Sequence, residues 1–510
     1  MKRLLYIAVG LATCALSACN DLIDITPVEN NTADEFYSSE YEMQQAVVGI
    51  YARLGRNGTN TDYPTDMYWQ ASESRSDNLY YATLANAQRD QADMRTFHVT
   101  DVTGLNQTIY ARLYQIINDA NTLLERSSEE YTRYRAEARF FRALAYFDLV
   151  RAYGPQPVLD HVVSSEEAKT MERQPVEDAY AQIISDLEFA GENLEPFYSG
   201  DEAGRVGSIA AKCLLGEVYV TMACYPLYDN TAYAKAEQTL APIMDEVQAR
   251  FAPDYADIFD LNQENTYDIF SVQFASGNQG LGSSYPMFTT TGGSSMTPFP
   301  EWAYSGYSPQ GQDFQVDSLL INSMKAANDK RLEVTVMEGY WTSLEHGATP
   351  EEDPLNWDDR CIIKKFLIKD NTNNTIKAWN DYPLNVPLLR PADAYLLYAE
   401  ALLNNGKASE AKKWVDAIRE RAGVGALDHN PTMDDIMYER RCEFLGEGKR
   451  YFDLVRMGED TFVSTLKAFS DHYNHVTLMG ANEPAVRDML LPIPLTVMNI
   501  HTSWTNNQGY

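Results

Sequence analysis

The chain is poor in the features that fix a small or membrane-spanning protein in place. Six cysteines are scattered through 510 residues, none as CxxC and none with a histidine at zinc-ligand spacing, which argues against a disulfide framework and a structural zinc site. No apolar run approaches the ~18–20 residues that a membrane-crossing helix needs. Basic residues are scarce, 41 Lys and Arg against 73 Asp and Glu. The net charge of −32 repels phosphate backbones and anionic lipid, so nucleic acid is not a predicted partner. HExxH, GxSxG and Walker A patterns are absent. The run Gly277, Gly280, Gly282 has the wrong order for a nucleotide loop, and Ser-Ser-Tyr-Pro follows it instead of a helix. The histidines are dispersed, with His472 and His475 the nearest pair, and without further ligands they read as surface residues. No catalytic residue, cofactor or metal is therefore predicted.

What is present is ordinary globular composition, 45% hydrophobic and 22% charged, with an excess of amphipathic rings, 33 Tyr against 19 Phe. The length suits roughly three domains or one elaborated domain. The N-terminus reads as an address. Lys2 and Arg3 precede an apolar stretch from Leu4 to Ala15, too short to span a bilayer, which ends in Leu16-Ser17-Ala18-Cys19. That order resembles a bacterial lipoprotein signal, in which residues 1–18 are removed and Cys19 is acylated. Residues 20–31 are polar and contain Pro27, a composition that suits a tether. Of the remaining cysteines, Cys213 and Cys442 sit in apolar helical patterns and are predicted to be core residues.

Helical hairpins recur. In the clearest, Pro391 suits a first helical turn, and Ala394, Leu397, Tyr398, Ala401 and Leu402 follow the spacing of one helix face. Asn404-Asn405-Gly406 supplies the turn, and a second helix carries Ala408, Ala411, Val415, Ile418 and Ala422 before Gly423. The hairpin looks like a tetratricopeptide (TPR) unit. Three more pairs fit the scheme: 42–54 with 106–125, 134–153 with 176–193, and 208–223 with 233–247. The helical segments span about 36–55, 106–153, 173–247 and 390–457. Between them, 56–105 and 251–387 are loop-rich insertions, and they contain Trp69, Trp302, Trp341, Trp357 and Trp379. A helical scaffold carrying aromatic-rich irregular segments is more often a binding architecture than a catalytic one.

The charged run Glu439, Arg440, Arg441, Glu443, Glu447, Arg450, Asp453, Arg456 resembles an active site at first sight. Its i, i+3 pairs, Arg440–Glu443, Glu447–Arg450, Arg450–Asp453 and Asp453–Arg456, instead predict a partly buried helix of structural ion pairs. The same reading covers Arg135, Glu137, Arg139, Arg142, Asp148 and Arg151. Asp358-Asp359 has the chemistry for calcium, but a solvated acidic face is the favoured reading.

Four motifs together resemble the SusD/RagB family, surface lipoproteins of Bacteroidetes. They are Leu16-Ser17-Ala18-Cys19 with Pro27 downstream, and the run from Arg135 through Phe140-Phe141-Arg142 to Tyr153-Gly154. They continue with Leu389-Arg390-Pro391-Ala392-Asp393 leading to Tyr398-Ala399-Glu400-Ala401, and Glu439-Arg440-Arg441 leading to Glu447-Gly448-Lys449-Arg450-Tyr451-Phe452-Asp453. The resemblance implies a mostly α fold, four TPR-like helix pairs packed against an irregular α/β, loop-rich region, within one domain over 19–510. It implies capture of a nutrient, usually an oligosaccharide, at the outer face of the outer membrane, beside a SusC-like TonB-dependent transporter, without hydrolysis.

Tyr and Trp suit such a ligand, because a pyranose has an apolar C–H face and a hydroxyl rim. The expected ligand contacts are Trp69, Arg75, Asp77, Asn78, Tyr80 and Tyr81 in the first insertion and Trp302, Tyr304 and Trp341 in the second. Two other readings remain open at this point, a TPR scaffold that binds only its transporter and a glycoside hydrolase working through paired carboxylates.

Overall fold

The helix-period segments fold as helices because their apolar stripes close on one another. The computed structural model describes residues 36–56, 60–81, 89–289, 314–341, 357–367, 376 and 378–510. Eight helices make a continuous array: α1 (Glu40–Leu54), α2 (Gly104–Arg126), α3 (Thr132–Tyr153), α4 (Val176–Asn193), α5 (Ser208–Met222), α6 (Ala232–Leu240), α7 (Pro391–Asn404) and α8 (Ala408–Arg421). Each packs against the next in the chain, so the four predicted pairs are present and also stack on each other. This nearest-neighbour stacking is the solenoid arrangement in which each unit buries the face of its neighbour. None of the described helices is long and apolar enough to cross a membrane.

The last hairpin illustrates the local causes. Pro391 opens α7, and the Asp393 carboxylate accepts the Arg390 backbone N–H at 2.9 Å, capping the first turn. Gly406 has φ +79° in the turn to α8, a conformation that glycine adopts without a Cβ penalty. Ala394, Ala401 and Ala411 are fully buried between the two helices, and their small side chains let the axes approach.

The remainder is irregular, with short strands paired in twos: β1 (Leu79–Tyr81), β2 (Phe270–Val272), β3 (Phe314–Val316), β4 (Val336–Trp341), β5 (Trp357–Ile363) and β6 (Val386–Leu389). β1 pairs antiparallel with β3, β2 with β6, and β4 with β5. β6 runs directly into the Arg390 cap, so the β2/β6 ladder sets where α7 begins.

The structure corrects two expectations. The charged run at 439–456 is not one helix. It forms α9 (Met433–Glu443) and α10 (Arg450–Arg456), separated by a turn in which Gly446 and Gly448 have φ +86° and +74°. Of the four i, i+3 pairs, Asp453–Arg456 forms at 2.9 Å. Arg440 turns to Asp453 (2.8 Å), while Glu443, Glu447 and Arg450 take partners far along the chain. The segment is structural, as expected, but it ties distant parts of the chain together and does not stiffen one helix. Secondly, Pro64–Gln70 in the first insertion is a wholly buried π-helical turn and not a surface loop. It is seated by Asp62, whose carboxylate accepts Thr65 N–H and Oγ1–H (2.9 and 2.7 Å) and the backbone N–H of Ser284 at 2.6 Å.

A further helix, α11 (Glu459–His472), follows α10. His472 ends it and His475 opens the next short helix beyond Asn474 at φ +53°, so the two histidines do not share a face. No cluster of potential metal ligands occurs among the described residues. Cys213 and Cys442 are fully buried free thiols.

Candidate functional site

The described first insertion is buried through most of residues 62–81. Glu73 accepts hydrogen bonds from the Gly446 and Gly448 backbone N–H groups (2.8 and 2.9 Å) and from the Asn78 amide (2.8 Å). Asp77 accepts a two-pronged bond from Arg450 (2.8 and 2.9 Å), and Arg441 Nε donates to Asn78 Oδ1 at 2.9 Å. Burial pushes the Asp77 carboxyl up, but the Arg441 and Arg450 guanidiniums outweigh it and hold it well below the usual carboxylate range. Residues 73–78 are thus pinned to the α9–α10 turn, and the pin fixes where β1 emerges.

This placement revises the expected ligand contacts. Trp69 has no exposed surface and lies against Tyr285 and Phe314, its ring centroid 6.0 and 5.3 Å from theirs. Arg75, Asp77, Asn78 and Tyr81 are buried too. These five side chains are buried and offer no open face to a ligand. Their mixed polar and aromatic composition belongs to an internal network.

Tyr80 differs. It lies on the opposite face of β1 from Leu79 and Tyr81, is half-buried, and stacks flat on Tyr473 at 3.8 Å with 7° between the rings. Tyr473 is held in place by its hydroxyl, which donates to the Asp317 carboxylate at 2.8 Å and accepts the Ser318 N–H at 2.8 Å. Asp317 in turn caps the helix Ser318–Ala326 and accepts from Arg441 at 3.0 Å. Tyr473, Ser318 and Arg441 were not predicted. The period of Phe462, Leu466 and Phe469 would have revealed α11 and hence Tyr473 at its end.

Trp302 and Tyr304 lie outside the described residues, as does Cys19. Trp341 is the last residue of β4, opposite Trp357 at the start of β5. The register nevertheless relates their segments. Tyr81, the last residue of β1, pairs with Phe314, the first of β3. β5 packs beside β3. The strand residues Tyr81, Phe314, Trp341 and Trp357 therefore belong to one small group of strands. Asp358 and Asp359 fall within β5.

A pocket of about 260 Å³ lies elsewhere, between α3, α4, α5, α10 and the C-terminal segment, and none of the predicted contacts lines it.

The buried ion pairs around the site make a pH prediction. Despite burial, guanidiniums hold Glu443 and Asp77 well below the usual range and Asp453 down to about 2, and Arg390 with Lys365 lowers Glu447. These groups contribute stability that is full above their unfolded values near 4 and is lost as the pH falls from about 4 through about 2. Asp66 works in the opposite sense: burial pushes it up to about 6 in spite of Arg112, so its cost at neutral pH is relieved on mild acidification. The melting temperature should hold or rise slightly between pH 7 and 5 and fall steeply below 4. A steady fall from pH 7 downward would refute this assignment.

The array of paired helices beside short paired strands defines a helical-scaffold fold. The model of the SusD family matches residues 255–510, and a second, described as starch-binding associating with outer membrane, matches 24–220. The chain belongs to the SusD family. It is 26% identical to a SusD-like protein of Bacteroides ovatus over 87% of this chain and 81% of that one. Its fold resembles that of a SusD homolog from Bacteroides thetaiotaomicron, with a TM-score of 0.79 at 20% identity over 94% of this chain and 98% of the other. It also resembles surface glycan-binding protein A from the same organism, in complex with laminarihexaose, with a TM-score of 0.74 at 19% identity over 92% and 99%.

Proposed function

We propose that this protein captures an oligosaccharide or polysaccharide at the cell surface and delivers it, without cleaving it, to a SusC-like TonB-dependent transporter. In this reading the chain loses residues 1–18, is anchored in the outer membrane by lipid on Cys19, and faces the exterior. The observation that carries the proposal is the grouping of Tyr80, Trp341 and Trp357 on strands β1, β4 and β5, which β3 links, in a chain that also matches a family model described as starch-binding over residues 24–220. Tyr80, Trp302, Tyr304 and Trp341 are the contacts we assign to the glycan, and the pinned segment 73–78 keeps β1 in place behind them. Rings that stack on sugar C–H faces need rigid backing, because each immobilised side chain costs about 0.5–1.5 kcal/mol on binding.

Titration calorimetry of the chain lacking its signal peptide, against laminari- and malto-oligosaccharides and a wider glycan panel, tests this. At least one glycan should bind and be recovered intact. Trp302→Ala and Trp341→Ala should each weaken it by about tenfold, the loss of one stacking face. Silence across the panel while the transporter still co-purifies would favour a scaffold that binds only protein. Shortened glycan after incubation would favour the hydrolase reading.

A further inference from the structure

Arg75 and Tyr81, withdrawn from the surface, meet inside the protein around a small cavity. Its volume is about 20 Å³, and Ser470, His475 and Arg95 also line it. That is room for one water-sized sphere. The buried lining atoms without a geometric hydrogen bond among the described residues include Arg75 Nε, Tyr81 Oη, Ser470 Oγ and His475 Nε2.

The character of these atoms selects the occupant. Arg75 Nε carries a hydrogen and no lone pair to accept with, the Ser470 hydroxyl is free to donate, the Tyr81 hydroxyl can turn from Ser74 to the cavity, and His475 Nε2 donates in one of its tautomers. The Ser74 hydroxyl, the polar neighbour of the Tyr81 Oη, donates to Gln70 O at 2.9 Å, so toward Tyr81 it can only accept. No carboxylate among the described residues lies within 4.0 Å of the Arg75 guanidinium, whose other nitrogens donate to the carbonyls of Ala71 and Asp488 at 3.4 and 2.8 Å. The Asp488 carboxylate accepts the Ala485 backbone N–H at 2.9 Å, lies 3.5 Å from Arg487, and attracts Arg75 without contacting it. The Arg75 guanidinium also sits 4.5 Å from the centroid of Tyr451, and that of Arg95 sits 4.6 Å from the centroid of Tyr81. A buried cation without a contacting counter-ion is costly. A single water accepts at most two hydrogen bonds and brings no charge, so it leaves donors unmet.

We propose that this cavity binds one halide-sized monovalent anion, chloride in solution, held by Arg75, Tyr81, Ser470 and His475. The ion accepts the convergent donors, gives Arg75 a negative charge in direct contact where Asp488 acts only at a distance, and joins β1 to the end of α11 beside the Tyr80–Tyr473 stack. The inference rests on the donors alone and stands or falls apart from glycan capture.

The test uses the whole chain without its signal peptide, melted in sodium chloride, sodium bromide or sodium gluconate at matched ionic strength, and crystals grown in bromide. The melting temperature should rise saturably with chloride and bromide and not with gluconate, and an anomalous bromide peak should lie in the cavity. Tyr81→Phe and Ser470→Ala each remove one donor while keeping the shape of the fold. Each should raise the halide concentration for half-maximal stabilisation by roughly tenfold, the loss of one hydrogen bond to a charged group. Identical melting in halide and gluconate, or a cavity without bromide, would overturn the proposal. A halide effect unchanged in both variants would place the ion elsewhere and overturn it equally.

Discussion

Glu443→Ala is expected to destabilise the protein by about 3–5 kcal/mol, the cost of stranding buried charges by removing their partner. Glu443 is 0% exposed near the end of α9. Its carboxylate meets Arg390 Nη1 at 2.9 Å, Arg421 Nη2 at 2.5 Å and Arg331 Nη1 at 3.4 Å. These arginines come from the cap of α7, the end of α8 and the helix Lys330–Thr335 of the second insertion. One carboxylate therefore fastens the last helical hairpin to the irregular region. Arg390 keeps Glu447, and Arg331 keeps Asp329 and Glu439. Arg421 loses the one carboxylate within 4.0 Å of it among the described residues. The measurement is the urea midpoint at unchanged slope. The exposed pair Lys169–Glu166 at 3.0 Å serves as the reference. Breaking it should cost at most about 1 kcal/mol. If Glu443→Ala shifts stability no more than Glu166→Ala does, the fastening role is wrong.

The contrast between Glu443 and the helices it joins marks what can be read from a sequence. Ala394, Leu397 and Ala401 recur at helical period because one helix face is buried along its length, and local spacing carries that information. The partners of Glu443 lie 22 to 112 positions away, and no local spacing encodes them. The i, i+3 pairs read along 439–456 were chemically sensible. The turn at Gly446 and Gly448 broke the helix they assumed.

The candidate site divides in the same way. Ser74-Arg75-Ser76-Asp77-Asn78 has no period, and a polar segment with tyrosines looks alike whether it lines a groove or threads the interior. Its burial follows from Glu73 receiving two backbone N–H groups of the α9–α10 turn, a contact across more than 370 positions. The three residues of β1 did carry a legible sign. Leu79 and Tyr81 share one face and Tyr80 the other, and Tyr80 is the one residue of the three that keeps some exposure.

That same turn yields the second large effect. Gly448 has φ +74°, and a Cβ placed on it would stand 2.6 Å from Tyr68 Cβ and closer still to the Tyr68 carbonyl oxygen. A carbonyl in the buried π-helical turn cannot rotate away as the tip of a long side chain can. Its neighbours are also committed, since the Gly448 N–H donates to Glu73 at 2.9 Å and its carbonyl accepts the Ser72 hydroxyl at 2.6 Å. Gly448→Ala should therefore combine a left-handed backbone cost of about 1–2 kcal/mol with an overpacking cost of about 1–3 kcal/mol. Gly406→Ala separates the two. Gly406 has nearly the same φ, +79°, and a methyl group added there would meet nothing within 4 Å, so it should show the backbone cost alone. Unequal losses, larger at 448, would establish that the α9–α10 turn is clamped against the first insertion. Equal losses would mean that the turn can move away from Tyr68, and the rigid backing assigned to β1 and Tyr80 would then fail with it.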